Sequence, residues 1–418
     1  MILVVVGISC GDSQTSFEKD QNVEATPVSD LVTQPSPGAL QTPSTLSPVV
    51  PTSTPAEPVS SVDVLAEDIQ NSMRNGFDIQ YSTGGPSARY PALNGVVLVG
   101  LGDEIIANVA QGVANVDEKV RMEPSTLFPL GRIADLFAAT DVLQLHELGK
   151  LAVDDPLATV LPDFPHGAKV TPLHLITHTS GLPRLWDWEV QDVDEDGSLA
   201  DDAAILLSEK ALRYEPGEKF NVEGGDAPVL SDYLMVRYLV EQVSGQSYED
   251  YLSEHIFGPA NMNDTVITST DSIAGGLALG YTLNGRAPVL TDQAAVPELA
   301  DHGHIVWSTS EDIFRWYRAL REGKLVGNEL VERMFGPVVE LANGVESAAY
   351  GWKVMESARG DNALLVSNLK GYNVELRAFP DNDLIVVVLT NIEDYYPPGG
   401  QFSWKFAVLA MDSLDQER

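Results

Sequence analysis

Apolar runs of strand type lie towards both ends of the foldable part of this chain, with helical patterns between them. Gly95 to Leu101 (GVVLVGL) and Glu104 to Ala110 (EIIANVA) flank Gly102-Asp103, a combination that predicts a tight hairpin. Tyr350 to Glu356, Tyr372 to Phe379 and Leu384 to Thr390 return to strand type, the last two joined by Pro380-Asp381-Asn382-Asp383. Between them, Ala134 to Gly149 carries apolar residues at helical spacing and stops on a glycine. Ser231 to Ser244 and Ser247 to Phe257 predict a helix pair, and Ser310 to Arg321 an amphipathic helix with Glu311 and Asp312 in its first turn. This order predicts an α+β fold: an antiparallel sheet built from N- and C-terminal strands, flanked by helices, plus a mainly helical lobe over roughly residues 150–310.

Only residues 61–418 read as foldable. Residues 11–60 are rich in Ser, Thr and Pro and hold no aromatic residue after Phe17, so they lack the means to build a core and predict a disordered, extended tether. Residues 1–10 (MILVVVGISC) put a short apolar stretch before Cys10. That pattern reads as a lipoprotein-type export signal with Cys10 as the lipid-bearing residue, or else as a buried apolar strand. The first reading predicts an exported, lipid-anchored protein of a bacterial cell envelope that meets the membrane only through its anchor. With one cysteine there is neither an internal disulfide nor a thiolate zinc site. Lys plus Arg number 25 against 61 Asp plus Glu, a net charge of -36, and that field repels phosphate backbones. Nucleic-acid binding is thereby excluded as a function class.

Several segments carry a more specific pattern. They are Thr126-Leu-Phe-Pro-Leu-Gly131, Gly149-Lys-Leu151, Asp154-Asp-Pro156, Leu161-Pro-Asp-Phe164, Leu173-His-Leu-Ile-Thr-His-Thr-Ser-Gly-Leu-Pro183, Pro216-Gly-Glu-Lys-Phe220, Ser308-Thr-Ser-Glu-Asp312 and Val386-Val-Val-Leu-Thr-Asn391. In order and spacing they resemble the serine β-lactamase and penicillin-binding-protein-like family over about residues 62–410. The resemblance implies a β-lactamase/transpeptidase-like fold, no required cofactor, and hydrolysis of peptide, ester or amide bonds. In that family a nucleophilic Ser and a Lys stand three apart at the start of the catalytic helix, so that the amine can take the hydroxyl proton. Here the register after Gly131 puts Arg132 and Asp135 at those positions. The second motif, Tyr or Ser with Asn two positions on, falls on Val222-Glu223-Gly224, and the third, a basic residue with Gly two positions on, falls on Leu365-Val366-Ser367. A permanently charged guanidinium is no nucleophile. Ser367-Asn368-Leu369-Lys370 repeats the Ser-x-x-Lys spelling but runs into Gly371 and a strand, without the helical turn the motif needs.

The same resemblance turns Arg132, Asp135 and Glu223 towards one depression, where they are the candidate ligand-binding residues. Three readings remain open: an ion pair closing a disused site, a pocket in which Arg132 holds a carboxylate, and acid-base hydrolysis by Asp135 and Glu223. His178, at a helix end, reads as a packing and hydrogen-bonding residue. Asp192, Asp194 and Asp196, followed by Gly197, form the front half of an EF-hand-type loop, a candidate Ca2+ site whose plain alternative is a solvated acidic loop. His302 and His304 lack the spacing of a metal pair. The expectation is a catalytically inactive module that binds a small-molecule or peptide ligand or a partner. The alternative is a serine hydrolase acting through residues that the motifs do not identify.

Overall fold

The computed structural model describes residues 61–79, 88–90, 92–183, 199–200, 203–204, 211–220, 222–223, 227–228, 230–268, 275–284, 287–291, 305–341, 344–393 and 401–415. These all belong to one unit, residues 58–418. The signal, Cys10 and the tether lie outside them. Gly102, at φ +53°, closes the first hairpin between β1 (Gly95–Leu101) and β2 (Glu104–Gln111). The other strands of the main sheet come from the C-terminal third: β3 (Val339–Glu340), β4 (Glu346–Ala348), β5 (Lys353–Met355), β6 (Asn362–Leu369), β7 (Tyr372–Phe379) and β8 (Leu384–Thr390). Their order across the sheet is β3-β4-β5-β6-β7-β8-β1-β2, antiparallel throughout. β8 thus lies beside β1, with Val387 opposite both Leu98 and Leu376. The hairpin at residues 95–111 and the C-terminal strands share a sheet, as the distribution of apolar runs predicts.

β8 reads LIVVVLT and is buried at every position, which a strand tolerates only when both faces of its sheet are covered. Alternate residues serve two cores. Leu384, Val386 and Val388 pack with Leu65, Ile69 and Met73 of α1 (Ser61–Asn75) and with Phe402 and Phe406 of α7 (Gln401–Asp415). Ile385, Val387 and Leu389 face the larger core, which holds Phe137 and Val142 of α2 (Asp135–Glu147), Val236 and Leu239 of α4 (Leu230–Ser244), and Trp316 of α6 (Ser310–Arg321). Between α2 and α4 the chain forms the short α3 (Pro172–Ile176), whose N-terminus Thr171 and His174 close with a reciprocal capping box. The predicted second helix of the pair is α5 (Tyr248–Leu252), which widens into a π turn over Ser253–Phe257. α6, β7 and β8 match the sequence reading residue for residue. β6, which sequence reading did not delimit, is the strand that matters for the site. No helix among the described residues is long and apolar enough to cross a membrane.

The turn from β6 to β7 is fixed by close backbone approach. Gly371 has φ +90°, and a Cβ there would lie 2.6 Å from Gly280 Cα. Gly371→Ala is expected to cost about 3 kcal/mol, left-handed strain and overpacking together, read as a shifted urea midpoint.

Candidate functional site

Gly131, at φ +50°, leads from the strand pairing of Phe128 and Pro129 into a 3-10 turn over Gly131–Ala134, and α2 follows at once. Arg132 occupies the turn and Asp135 the first residue of the helix. Arg132 Nη2 lies 3.3 Å from Asp135 Oδ2 and 3.0 Å from His178 Nε2. Asp135 Oδ1 lies 3.4 Å from Nη2 of Arg237, which α4 supplies. Two guanidinium groups therefore share one carboxylate, whose side chain is only 5% exposed.

His178 follows α3 in the left-handed region, at φ +53°, which is uncommon for a residue with a Cβ. Its ring lies 4.8 Å from that of Tyr233 and 5.6 Å from that of Phe220. The Tyr233 hydroxyl donates to the Ile176 carbonyl at 3.0 Å, tying α4 to the end of α3. On its other side, His178 Nδ1 stands 3.5 Å from Oδ2 of the fully buried Asp232. Asp232 also accepts a hydrogen bond from the Ser180 hydroxyl, and that same hydroxyl oxygen accepts the Leu182 N–H at 2.9 Å. Because a guanidinium only donates, Nε2 must accept from Arg132, and the ring proton then sits on Nδ1, facing Asp232. Burial first, then the charges of Arg132 and Lys353, hold His178 well below the ordinary imidazole range, so the ring is neutral at neutral pH.

Asp135 follows the opposite logic. Burial raises its carboxyl above the usual range, and the opposing charges of Arg132 and Arg237 do not fully offset that. A group whose folded pKa is raised favours folding in its protonated form. Its contribution to stability is therefore present below the unfolded carboxylate pKa and is lost as pH rises through the folded value. The stability difference between wild type and Asp135→Asn should accordingly move against wild type as pH rises from about 4 towards neutrality. Paired urea melts across that range check it, and parallel pH curves would show that Asp135 carries no such penalty.

The segment Leu365 to Ser367 completes the arrangement from the sheet side. Ser367, on β6 and fully buried, accepts the backbone N–H of Arg132 on its hydroxyl oxygen at 3.0 Å. The fit is tight: a Cβ on Gly131 would lie 2.3 Å from the Ser367 oxygen. Leu365, also buried, stands two residues before Ser367 on the same strand. Lys370 is exposed in the turn after β6, so Ser367 and Lys370 are not brought together across a helical turn.

Val222 and Glu223 form a two-residue strand paired with Pro228 and Ala227, and their side chains lie outside the described residues. Gly224, the candidate Ca2+ loop of Asp192, Asp194 and Asp196, and His302 and His304 also lie outside them. Among the described residues no group of three or more His, Cys, Asp or Glu side chains is placed to hold a metal ion. Sequence reasoning did not assign Asp232 and Arg237 to this cluster, whereas His178, read as a packing and hydrogen-bonding residue, and Ser367, read on the strand facing the head of α2, both lie in it. An acid in the first turn of α4 reads as ordinary helix charge, and only the fold brings that turn against the end of α3.

Around Arg132 the hydroxyls are engaged and buried, and a positive side chain with a helix-borne carboxylate occupies the head of α2. The arrangement holds charges in fixed pairs, and among the described residues the Ser180 hydroxyl, buried against Asp232, is the one that stands beside the His178 ring.

Comparisons with known proteins bear on the origin of this arrangement. Penicillin-binding protein 4* of Bacillus subtilis is 28% identical over 325 residues, covering 72% of this chain and 68% of that protein. The structure of a penicillin-binding protein from Bacillus halodurans superposes with a TM-score of 0.66 at 23% identity, over 84% of this chain and 98% of the other. A D-amino acid amidase from Ochrobactrum anthropi does so with a TM-score of 0.67 at 18% identity, over 86% of this chain and all of the other. At these identities the two structures show the β-lactamase/transpeptidase-like fold alone. The model of the Beta-lactamase family matches residues 85–401, well over half of the length, and the chain belongs to that family of serine hydrolases.

Proposed function

We propose that this chain is a non-acylating member of its family, an exported, lipid-anchored body that binds a small-molecule or peptide ligand or a partner in place of performing hydrolysis. One observation carries the reading: Arg132, at the nucleophile position, is bound to Asp135, at the base position, and to His178. Residues that act as a catalytic unit lose most of their effect when any member goes, and here the first motif is replaced at both positions. Ser367 supports the same reading, because its hydroxyl oxygen takes the backbone N–H of Arg132, a donor that an oxyanion beside residue 132 would need. Membership of a hydrolase family does not by itself supply an activity. Arg132 keeps 15% of its side chain exposed, a narrow approach for a ligand carboxylate.

The test is turnover by the full chain of a chromogenic cephalosporin, p-nitrophenyl esters and D-alanyl amides. The expected rate is that of the buffer blank. Turnover that Glu223→Gln abolishes and an exposed Lys169→Gln variant retains would instead favour acid-base hydrolysis by Asp135 and Glu223.

A further inference from the structure

The contact between Arg132 and His178 carries a chemical condition. Arg132 Nη2 lies 3.0 Å from His178 Nε2, and a guanidinium has protons to give but no lone pair with which to accept one. The contact therefore exists only while Nε2 is bare. An imidazole that takes a second proton becomes a donor at both nitrogens, and its new Nε2–H would point at a permanent cation. Protonation turns this hydrogen bond into a repulsion between like charges.

The surroundings decide which partner gives way. The His178 side chain is only 4% exposed, and its ring is packed against those of Tyr233 and Phe220. Its Nδ1 faces the carboxylate of Asp232, which the fully buried Ser180 hydroxyl holds from the other side. Arg132 reaches the ring from the 3-10 turn on a long unbranched side chain that is 15% exposed. The guanidinium has a way out to solvent, and the ring does not.

The charged and titratable groups around the ring come from three further elements. The turn before α2 and the first residue of α2 supply Arg132 and Asp135, the second of which bears on the ring through its pair with the first. From α4 come Asp232 and Tyr233, and from β5 the charge of Lys353. Asp232 favours a proton on the ring, whereas burial, Arg132 and Lys353 oppose it and prevail. Burial also keeps the Tyr233 hydroxyl neutral. The balance leaves the Arg132 contact made at neutral pH and broken in acid.

We propose that His178 is a proton-operated latch for Arg132: the neutral ring holds the guanidinium at the head of α2, and the protonated ring releases it towards solvent. Asp232 keeps the ring in place in both states by facing Nδ1–H. The released guanidinium presents a positive charge at the surface of a chain whose net charge is -36. The latch stands whether or not the cluster takes a ligand.

The experiment is an NMR titration of the full chain, 15N-labelled in histidine and arginine, from about pH 7.5 to about pH 4, with the two residues assigned by the signals lost in His178→Gln and Arg132→Gln. At neutral pH the His178 ring is expected as its Nδ1–H tautomer, with Nε2 bare. As pH falls, the ring and the Nε–H of Arg132 should shift with one common midpoint. Below that midpoint the Arg132 Nε–H should exchange with solvent about 10-fold faster. In Arg132→Gln the opposing cation is gone, and the midpoint of the ring should rise by about one unit, tenfold in proton affinity. In His178→Gln, whose amide offers an acceptor that does not titrate, the Arg132 step should vanish. Should that variant not fold, the wild type and Arg132→Gln decide between them. An Nε2–H ring at neutral pH, a ring that takes no proton in the folded state down to about pH 4, or an Arg132 signal that ignores the titration of the ring would each overturn the latch.

Discussion

Adding Ser367→Gly to an Arg132→Ser, Asp135→Lys variant is expected to raise its rate of labelling by a fluorophosphonate by about 100-fold or more. The double variant restores the hydroxyl and the amine at the head of α2. Its new lysine would stand where Asp135 now lies 3.4 Å from Arg237, and a neighbouring cation lowers an amine's pKa, which favours the neutral base that the hydroxyl needs. The remaining obstacle is the backbone. The N–H of residue 132 is held by the Ser367 oxygen at 3.0 Å and cannot also receive the oxygen of a reacting centre. Removing one oxyanion donor typically costs a factor of about 100 to 1000, so freeing it should return a gain of that order. Intact-mass time courses on the two variants measure it. Equal labelling rates would show that the Ser367 contact yields without cost and places no limit on acylation at residue 132.

The second large effect concerns stability. Asp232→Ala is expected to cost about 3 kcal/mol, because the Ser180 hydroxyl loses a charged acceptor and the His178 ring the carboxylate that faces it at 3.5 Å, in a place that water does not reach. His178 is itself held in the left-handed region, so the contacts that keep it there bear on more than one hydrogen bond. Asp232→Asn keeps an acceptor oxygen and should cost about half as much. Urea midpoints of the three proteins decide the point. If Asp232→Ala melted with wild type, the buried Asp232 contacts would contribute nothing to the fold, and the idea that the polar cluster around Arg132 braces this part of the structure would lose its support.

What could be read from the sequence divides along a physical line. β7, β8 and α6 were legible to the residue because apolar periodicity and turn or capping signals agree at both ends of each. The two-faced burial of β8 is visible in its unbroken LIVVVLT run, and the sharing of a sheet by the two ends of the chain follows from where such runs lie. That Arg132 and Asp135 stand together at the head of α2 was legible because Gly131 fixes the register. The rest of the cluster was not. Asp232 meets His178 only after α3 and α4 have packed, and Ser367 meets Arg132 only because β6 runs beside the turn before α2. Pairings of that kind depend on topology and not on local pattern, and a lone buried aspartate such as Asp141 leaves no trace in sequence beyond being polar on an apolar helix face.

The central claim, that the family's acyl chemistry has no nucleophile in this chain, is tested most directly by an intact-mass spectrum of the full wild-type chain. The protein would be incubated with a fluorophosphonate and, separately, with a penicillin. The expected result is an unchanged mass in both cases, with the protein folded throughout. A covalent adduct of either reagent on the folded wild-type protein would contradict the account, and mapping it would name the nucleophile.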